Sequence, residues 1–201
     1  MQHALRTLRR GLGAALVSLS LLPALAGAQG MPSQAMMQAQ WPRLATAAWI
    51  ADGAAQPRHV LYVFFDPNCG YCHRLWENLQ SRYRKQRVQV RFILVGFITR
   101  TSPTKAAAIL EADDPLQALR KNERDWGKNP DGDRGGGIRA LRHLDFSMRL
   151  KLGMNGRLAR DFGIQGTPGL VWKDRRGQVY VLQSSPPPED LARIIESATA
   201  E

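Results

Sequence analysis

Cysteine is nearly missing from this chain. Among 201 residues there are two, Cys69 and Cys72, too few for the disulfide framework of a small secreted scaffold. A bridge between them would close so short a loop that little unfolded-state entropy would be removed, which speaks against a structural staple. Two cysteines and four histidines with no second cysteine pair also argue against a four-ligand zinc site, and no metal or organic cofactor is expected. Acidic residues are few as well, 17 against 28 Lys and Arg. The basic excess is scattered, with no dense run and no interleaved aromatics, so neither nucleic acid nor an anionic membrane is an expected partner. The Gly-rich stretch 127–137 (GKNPDGDRGGG) lacks a Gly-Lys-Ser/Thr ending and no strand precedes it. It reads as a flexible loop rather than a phosphate cradle. Beyond the first 28 residues no stretch reaches the ~18 apolar residues that span a bilayer, and no internal repeat is visible.

What is present is a hydrophobic content of 44%, enough for one ordinary domain with a core. Residues 1–28 have the make-up of a secretory signal. Arg6, Arg9 and Arg10 lead an apolar stretch, Gly11 to Ala26, and Ala26-Gly27-Ala28 fits a small-residue cleavage site. The expected mature chain is exported and does not span a membrane. Its formal charge falls to 25 basic against 17 acidic residues, a net +8.

The chain is organised around FFDPNCGYCH, Phe64 to His73. An apolar run, His59 to Phe65, predicts a strand covered on both faces. Leu75, Trp76 and Leu79 recur at helical spacing after it, predicting a helix over Asn68 to Tyr83. A Cys-x-x-Cys at such a junction reads as a thiol redox site. Cys69 falls where free helix N–H groups and the positive dipole end favour a thiolate. Cys72 lies one turn on, within reach to resolve a mixed disulfide. Cys69, Gly70, Tyr71, Cys72 and His73 also spell the C-x-x-C-H pattern of c-type haem attachment. That alternative stays open on the motif, although a β-branched and aromatic strand upstream is foreign to haem-protein surroundings.

Along the rest of the chain, residues 29–40 are expected to be mobile. Trp41 to Ile50 is read as a short helix with Pro42 in its first turn, ended by Asp52-Gly53. Val88 to Val95 is a second strand. Helices are expected over Thr104 to Ala112 and from Asp114-Pro115 to about Trp126. Ile138 to Leu152 is read as helical, and Asn155 as the cap of a further helix, Gly156 to Phe162, ended by Gly163. A hairpin, Gly169 to Lys173 and Gln178 to Leu182, precedes a last helix from about Pro187. The fold class is α/β: a thioredoxin-like fold with an inserted helical block at about 102–152. The expected domains are a signal peptide over 1–28, an N-terminal segment with a linker-like helix over 29–58, and the thioredoxin-like domain over 59–199.

The stretches YVFFDPNCGYCHRLW, LVGFITRTSPTKAAAILEADDP and LARDFGIQGTPGLVW together resemble the bacterial periplasmic disulfide isomerases of the DsbC/DsbG family, the G branch most closely. The similarity runs over about residues 41–198. WPRLATAAWIADG is similar to the end of the family's linker helix, while Gly70-Tyr71 resembles the C branch. The resemblance implies a periplasmic thiol–disulfide oxidoreductase of reductase or isomerase type, with Cys69 as nucleophile and Cys72 as resolving thiol. It implies protein clients with disulfides or oxidised thiols, and a DsbD-like membrane reductant. Thr167-Pro168, by itself an ordinary turn, matches the family's loop facing the dithiol, whose proline is cis, and so is implied to bind substrate. The acid that thioredoxin carries six residues before its first cysteine is replaced by Val63. Only about residues 29–40 stand where larger members carry a dimerisation domain, so a monomer is expected, better as reductase or oxidase than as isomerase. A non-catalytic client-binding chaperone is the remaining alternative.

Overall fold

Two nearly unbroken apolar runs set the frame. In the computed structural model, which describes residues 31–132 and 134–200, HVLYVFF forms a strand at His59–Phe65 and VQVRFIL another at Val88–Leu94. In chain order the strands are β1 (Trp49–Gly53), β2 (His59–Phe65), β3 (Val88–Leu94), β4 (Gly169–Lys173) and β5 (Val179–Leu182). They make one sheet in the order β1-β3-β2-β4-β5, with β2 and β3 parallel and the other pairs antiparallel. Because side chains alternate along a strand, β2 feeds two cores. Leu61, Val63 and Phe65 join Leu75, Leu79, Ala106, Leu191 and Ile195 on one face. Val60, Tyr62 and Phe64 join Met37, Leu44, Leu158 and Phe162 on the other. That double covering is what the continuous apolar run required.

The helices are α1 (Gln34–Ala45), α2 (Gly70–Gln80), α3 (Arg82–Lys85), α4 (Ser102–Leu110), α5 (Pro115–Arg124), α6 (Phe146–Asp161) and α7 (Pro188–Ser197). The expected strands and most expected helices lie within a few residues of these bounds. Three expectations are corrected. First, residues 34–45 form a docked helix, and Trp49–Gly53 a strand paired with β3, where a mobile segment and a Trp41 to Ile50 helix were expected. Ser33 caps α1 by accepting from the Met36 amide, and Met37 and Leu44 are buried. The Gln34 amide bonds the backbone of Val179 in both directions, at 2.7 and 3.1 Å, and so closes the open edge of β5. These anchors outweigh the donor lost at Pro42, which lies inside the helix. The sheet therefore begins before residue 59, the expected domain start.

Second, α6 is a single helix capped by Asp145, whose carboxylate accepts from Met148 N at 2.7 Å. Asn155 is no cap. It is buried mid-helix, and its Nδ2 donates to Leu94 O at 2.9 Å and Ala48 O at 3.1 Å, stitching α6 to β3 and to the chain entering β1. Tertiary partners have overridden its capping preference. Helix α6 also crosses the expected end of the insertion at 152.

Third, the end of the Gly-rich stretch, Gly135 to Gly137, packs tightly where a flexible loop was expected. Gly135 takes φ +150°, and a methyl group there would collide with Asn68. At Gly136 it would collide with the Asn122 side chain. The glycines let the backbone close over the loop that carries Cys69, and Gly136 N donates to Pro67 O at 3.2 Å. Gly136→Ala is expected to cost ~1–3 kcal/mol of overpacking, read as a lower denaturation midpoint at unchanged m-value. The expected signal segment, residues 1–28, lies outside the described residues. Among those described, no helix is long and apolar enough to cross a membrane.

Candidate active site

Strand β2 ends at Phe65, and the chain turns through Asp66-Pro67-Asn68 before α2 begins. Cys69 occupies the N-cap position with extended backbone, φ −89° and ψ 115°, and as a neutral thiol it makes no capping hydrogen bond. The first helix N–H groups are thereby left to whatever charge the sulfur carries. Cys72 follows one turn later, fully buried, while Cys69 is 4% exposed. Both are free thiols.

The two thiols differ in acidity. Cys69 is lowered to about 6, first by the hydrogen bond from Cys72, against the opposing effect of burial, and then by Thr167 and the amides of Cys72 and Tyr71. Cys72 is pushed well up by burial, then by its bond to Cys69 and the charge there. The second sulfur keeps its proton and lends it to the first, the asymmetry a nucleophile–resolver pair needs. Alkylation of the reduced protein is therefore expected to titrate with a midpoint near 6 at Cys69 and to leave Cys72 unmodified through neutral pH. Peptide mapping after iodoacetamide at stepped pH would check this; a midpoint near the ordinary thiol value would contradict it.

The Thr167-Pro168 bond is cis, and its loop meets the dithiol. As a thiol, Cys69 donates to Thr167 O at 3.2 Å. The Thr167 hydroxyl is buried with no other partner and stands beside both sulfurs. Cys69 and Cys72 and the Thr167-Pro168 loop, 95 positions on from Cys72, are thus brought together. Tyr71 is 61% exposed, with the Arg74 guanidinium over its ring, and forms the outer rim.

His73 points the other way. Its Nδ1 lies 3.0 Å from Glu123 Oε2 and its Nε2 3.6 Å from Glu77 Oε1. Its ring stacks on Trp126 at 4.5 Å between centroids. Both nitrogens facing carboxylates and a fully buried Cys72 make a poor haem attachment site, which also needs an axial nitrogen and two reachable sulfurs.

Three residues of the site were not singled out from sequence. Asp66, fully buried, accepts on Oδ1 from Asn68 N (2.9 Å) and Ser102 Oγ (2.7 Å), and on Oδ2 from Phe97 N (2.6 Å) and Ile98 N (3.0 Å). Asn122 donates to Pro67 O at 2.9 Å and to Glu123 Oε1 at 2.8 Å. Glu123, held through its other oxygen by His73, has its carboxyl pushed up by burial, against the pull of His73 and Asn122. Helix α5 thus grips the motif before and after the cysteines. A signal existed: Leu116, Leu119, Glu123 and Trp126 follow the i, i+3, i+7, i+10 stripe of a core-facing helix, with an acid in the middle of it. No group of three or more His, Cys, Asp or Glu among the described residues is arranged to hold a metal.

Comparison with known proteins matches residues 47–199 to a family described as a thioredoxin-like domain. The chain is 33% identical over 155 residues to a thiol:disulfide interchange protein DsbG of Pseudomonas aeruginosa, covering 77% of this chain and 58% of that protein. It is 30% identical over 135 residues to the DsbG of Escherichia coli, covering 67% of this chain and 52% of the relative. It therefore spans somewhat over half the length of these relatives. Among solved structures it is similar to Proteus mirabilis ScsC in a compact conformation, with TM-score 0.63 and 24% identity over 84% of this chain and 80% of that one. The catalytic domain of the same protein aligns with TM-score 0.61 and 20% identity, over 82% and 97%. At such identity these two establish the fold.

Proposed function

This chain belongs to the thioredoxin-like family, and from that premise we propose that it exchanges disulfides with protein clients through Cys69 and Cys72, as a reductase or isomerase. One observation carries the reading: a thiol acidified to about 6 and almost covered, hydrogen-bonded by a buried high-pKa thiol, under a loop that presents backbone to it. The Cys69 thiolate attacks one sulfur of a client disulfide, forms the mixed disulfide and releases the other client sulfur as a thiolate. Cys72 then gives up its proton and attacks Cys69. The client leaves reduced and a Cys69–Cys72 disulfide remains, for a dithiol donor to reduce. Attack on the mixed disulfide by a second client thiol instead gives isomerisation, with no net redox change. Thr167 and Pro168 line the place where an extended client segment pairs edge-on.

Export to the periplasm, a DsbD-like membrane reductant and clients with disulfides or oxidised thiols belong to the same proposal. So does a monomeric working state. In its support, α1 turns Met37 and Leu44 into its own domain's core and closes the β5 edge, leaving less of that helix for another copy. Insulin reduction by dithiothreitol with catalytic protein tests the main reading. Acceleration proportional to protein concentration is expected. A rate equal to dithiothreitol alone would leave a client-binding chaperone as the better account.

A further inference from the structure

An open cleft of about 580 Å³ is lined by Arg100, Thr101, Thr104, Asp131, Arg139 and Arg142. Three arginines, from two stretches some forty residues apart, converge there. Arg100 sits in the turn after β3, while Arg139 and Arg142 lie on the irregular strap between α5 and α6. The strap is fixed: Leu141 N donates to Thr104 O at 3.2 Å, and Ala140 N to Asp131 Oδ2 at 2.8 Å. The acid in the lining, Asp131, is thereby engaged by Ala140 and stands 3.8 Å from the buried Lys105 ammonium. Arg100, Arg139 and Arg142 are exposed, and among the described residues none of the three meets a carboxylate. Three like charges held in one concavity repel each other, and their fields add toward an incoming anion.

The cleft adjoins the chemistry through one residue. Thr101, in its wall, accepts from Asn68 Nδ2 at 3.0 Å, and Asn68 immediately precedes Cys69. A client chain joined to Cys69 and running extended toward Thr101 advances about 3.3 Å per residue, which carries side chains a few positions from its cysteine toward the cleft.

We propose that this cleft is a recognition subsite for carboxylate side chains close in sequence to the client's reacting cysteine, so that the protein prefers acidic segments. The proposal rests on the thiol-exchange reading above and adds the substrate class to it. Guanidinium groups suit the role because their planar donors pair bidentately with carboxylates. The carboxylates supply the charge the cleft lacks, and exposure on the cleft's rim makes the effect one of encounter and orientation, weakened by salt.

The test uses two peptide disulfides of equal length, with Asp and Glu or with Lys two to four residues from the cysteine, and uncharged 2,2′-dithiodipyridine as a third substrate. The full reduced protein at low ionic strength is expected to favour the acidic peptide by about tenfold in kcat/KM, with the preference shrinking steadily as salt is added. Arg139→Glu with Arg142→Glu should abolish or reverse it, and Arg139→Gln with Arg142→Gln should give an intermediate ratio. The rate with dithiodipyridine should stay unchanged in every variant. No acidic preference in the natural protein, or an equal preference in the reversed variant, would overturn the subsite. Salt titration of the natural protein decides the matter even if a variant fails to fold. Failure to react with dithiodipyridine would instead overturn the thiol-exchange reading itself.

Discussion

Replacing Cys69 by serine is expected to abolish catalysed disulfide reduction, a loss on the order of a thousandfold or more, down to the background of the reductant. A serine hydroxyl does not ionise near neutral pH, and the anion is the attacking species. Replacing Cys72 by serine should do something different. Cys69 still attacks, but the buried position beneath it holds no second thiol, so the mixed disulfide accumulates as a covalent adduct visible by mass. Serine can still donate to the Cys69 sulfur in place of the Cys72 thiol, the largest cause of that group's acidity. Alanine cannot. Cys72→Ser should therefore keep an acidified Cys69 while Cys72→Ala moves its titration upward, and alkylation against pH separates the two. Normal turnover in Cys69→Ser would refute the assignment outright.

The acidity has a definite consequence for pH. With a value of about 6 against an ordinary 9.0, Cys69 is roughly nine-tenths thiolate at pH 7, whereas an unperturbed thiol is about one hundredth ionised. Lower basicity also lowers nucleophilicity, with a Brønsted slope of about 0.4–0.5, which returns most of that hundredfold. The net gain at neutrality is then only a few-fold, and it widens to some tens-fold near pH 5.5. The sign for stability is equally fixed. A folded value below the unfolded one means that the Cys69 contribution to the reduced protein is present above the ordinary thiol range and lost as pH falls through about 6.

Most of the frame was legible because it is written in short-range pattern. The run HVLYVFF, the caps around α5 and the hairpin at 169–182 each carry their own period or turn chemistry. The errors fell where partners distant in sequence decide. Helix α1 owes its place to Val179, 145 residues away, and Asn155 lies mid-helix because Ala48 and Leu94 take its amide. The cysteines and the Thr167-Pro168 loop came from a motif and a family resemblance, and the structure brings them together. The grip of Asn122 on Pro67 and of Glu123 on His73 spans 55 and 50 residues, a pairing that no local pattern could place. The convergence of Arg100, Arg139 and Arg142 is likewise a property of the folded chain.

Asp66→Ala is expected to give the largest loss of stability among single polar substitutions, ~3–5 kcal/mol. Its carboxylate takes one bond from the active-site loop, Asn68 N, one from the start of α4, Ser102 Oγ, and two from the β3–α4 connection, Phe97 N and Ile98 N. Alanine would leave these donors unmatched in a buried site, where each orphaned group costs about 1–3 kcal/mol before relaxation or entering water offsets part of it. Asp66→Asn should fail too. It keeps the size, but one oxygen becomes an amide whose hydrogens meet N–H or O–H donors on either side. Burial pushes the Asp66 carboxyl upward, the four bonds opposing it, so the folded state takes up a proton more readily than the unfolded chain. The contribution tied to that proton is full below the unfolded value of 3.8 and lost as pH rises through the folded one. Denaturant titrations of the reduced natural protein and both variants at pH 5 and 8 would measure this. Both variants should be strongly destabilised at either pH, with the gap to the natural protein wider at pH 5. Because Asn68 leads directly into Cys69, the variants should also blur the thiol titration that a rigid N-cap keeps near 6. A loss below about 1 kcal/mol would mean that the four donors find water, and that the loop carrying the dithiol is held by α5, Gly136 and Thr101 without Asp66.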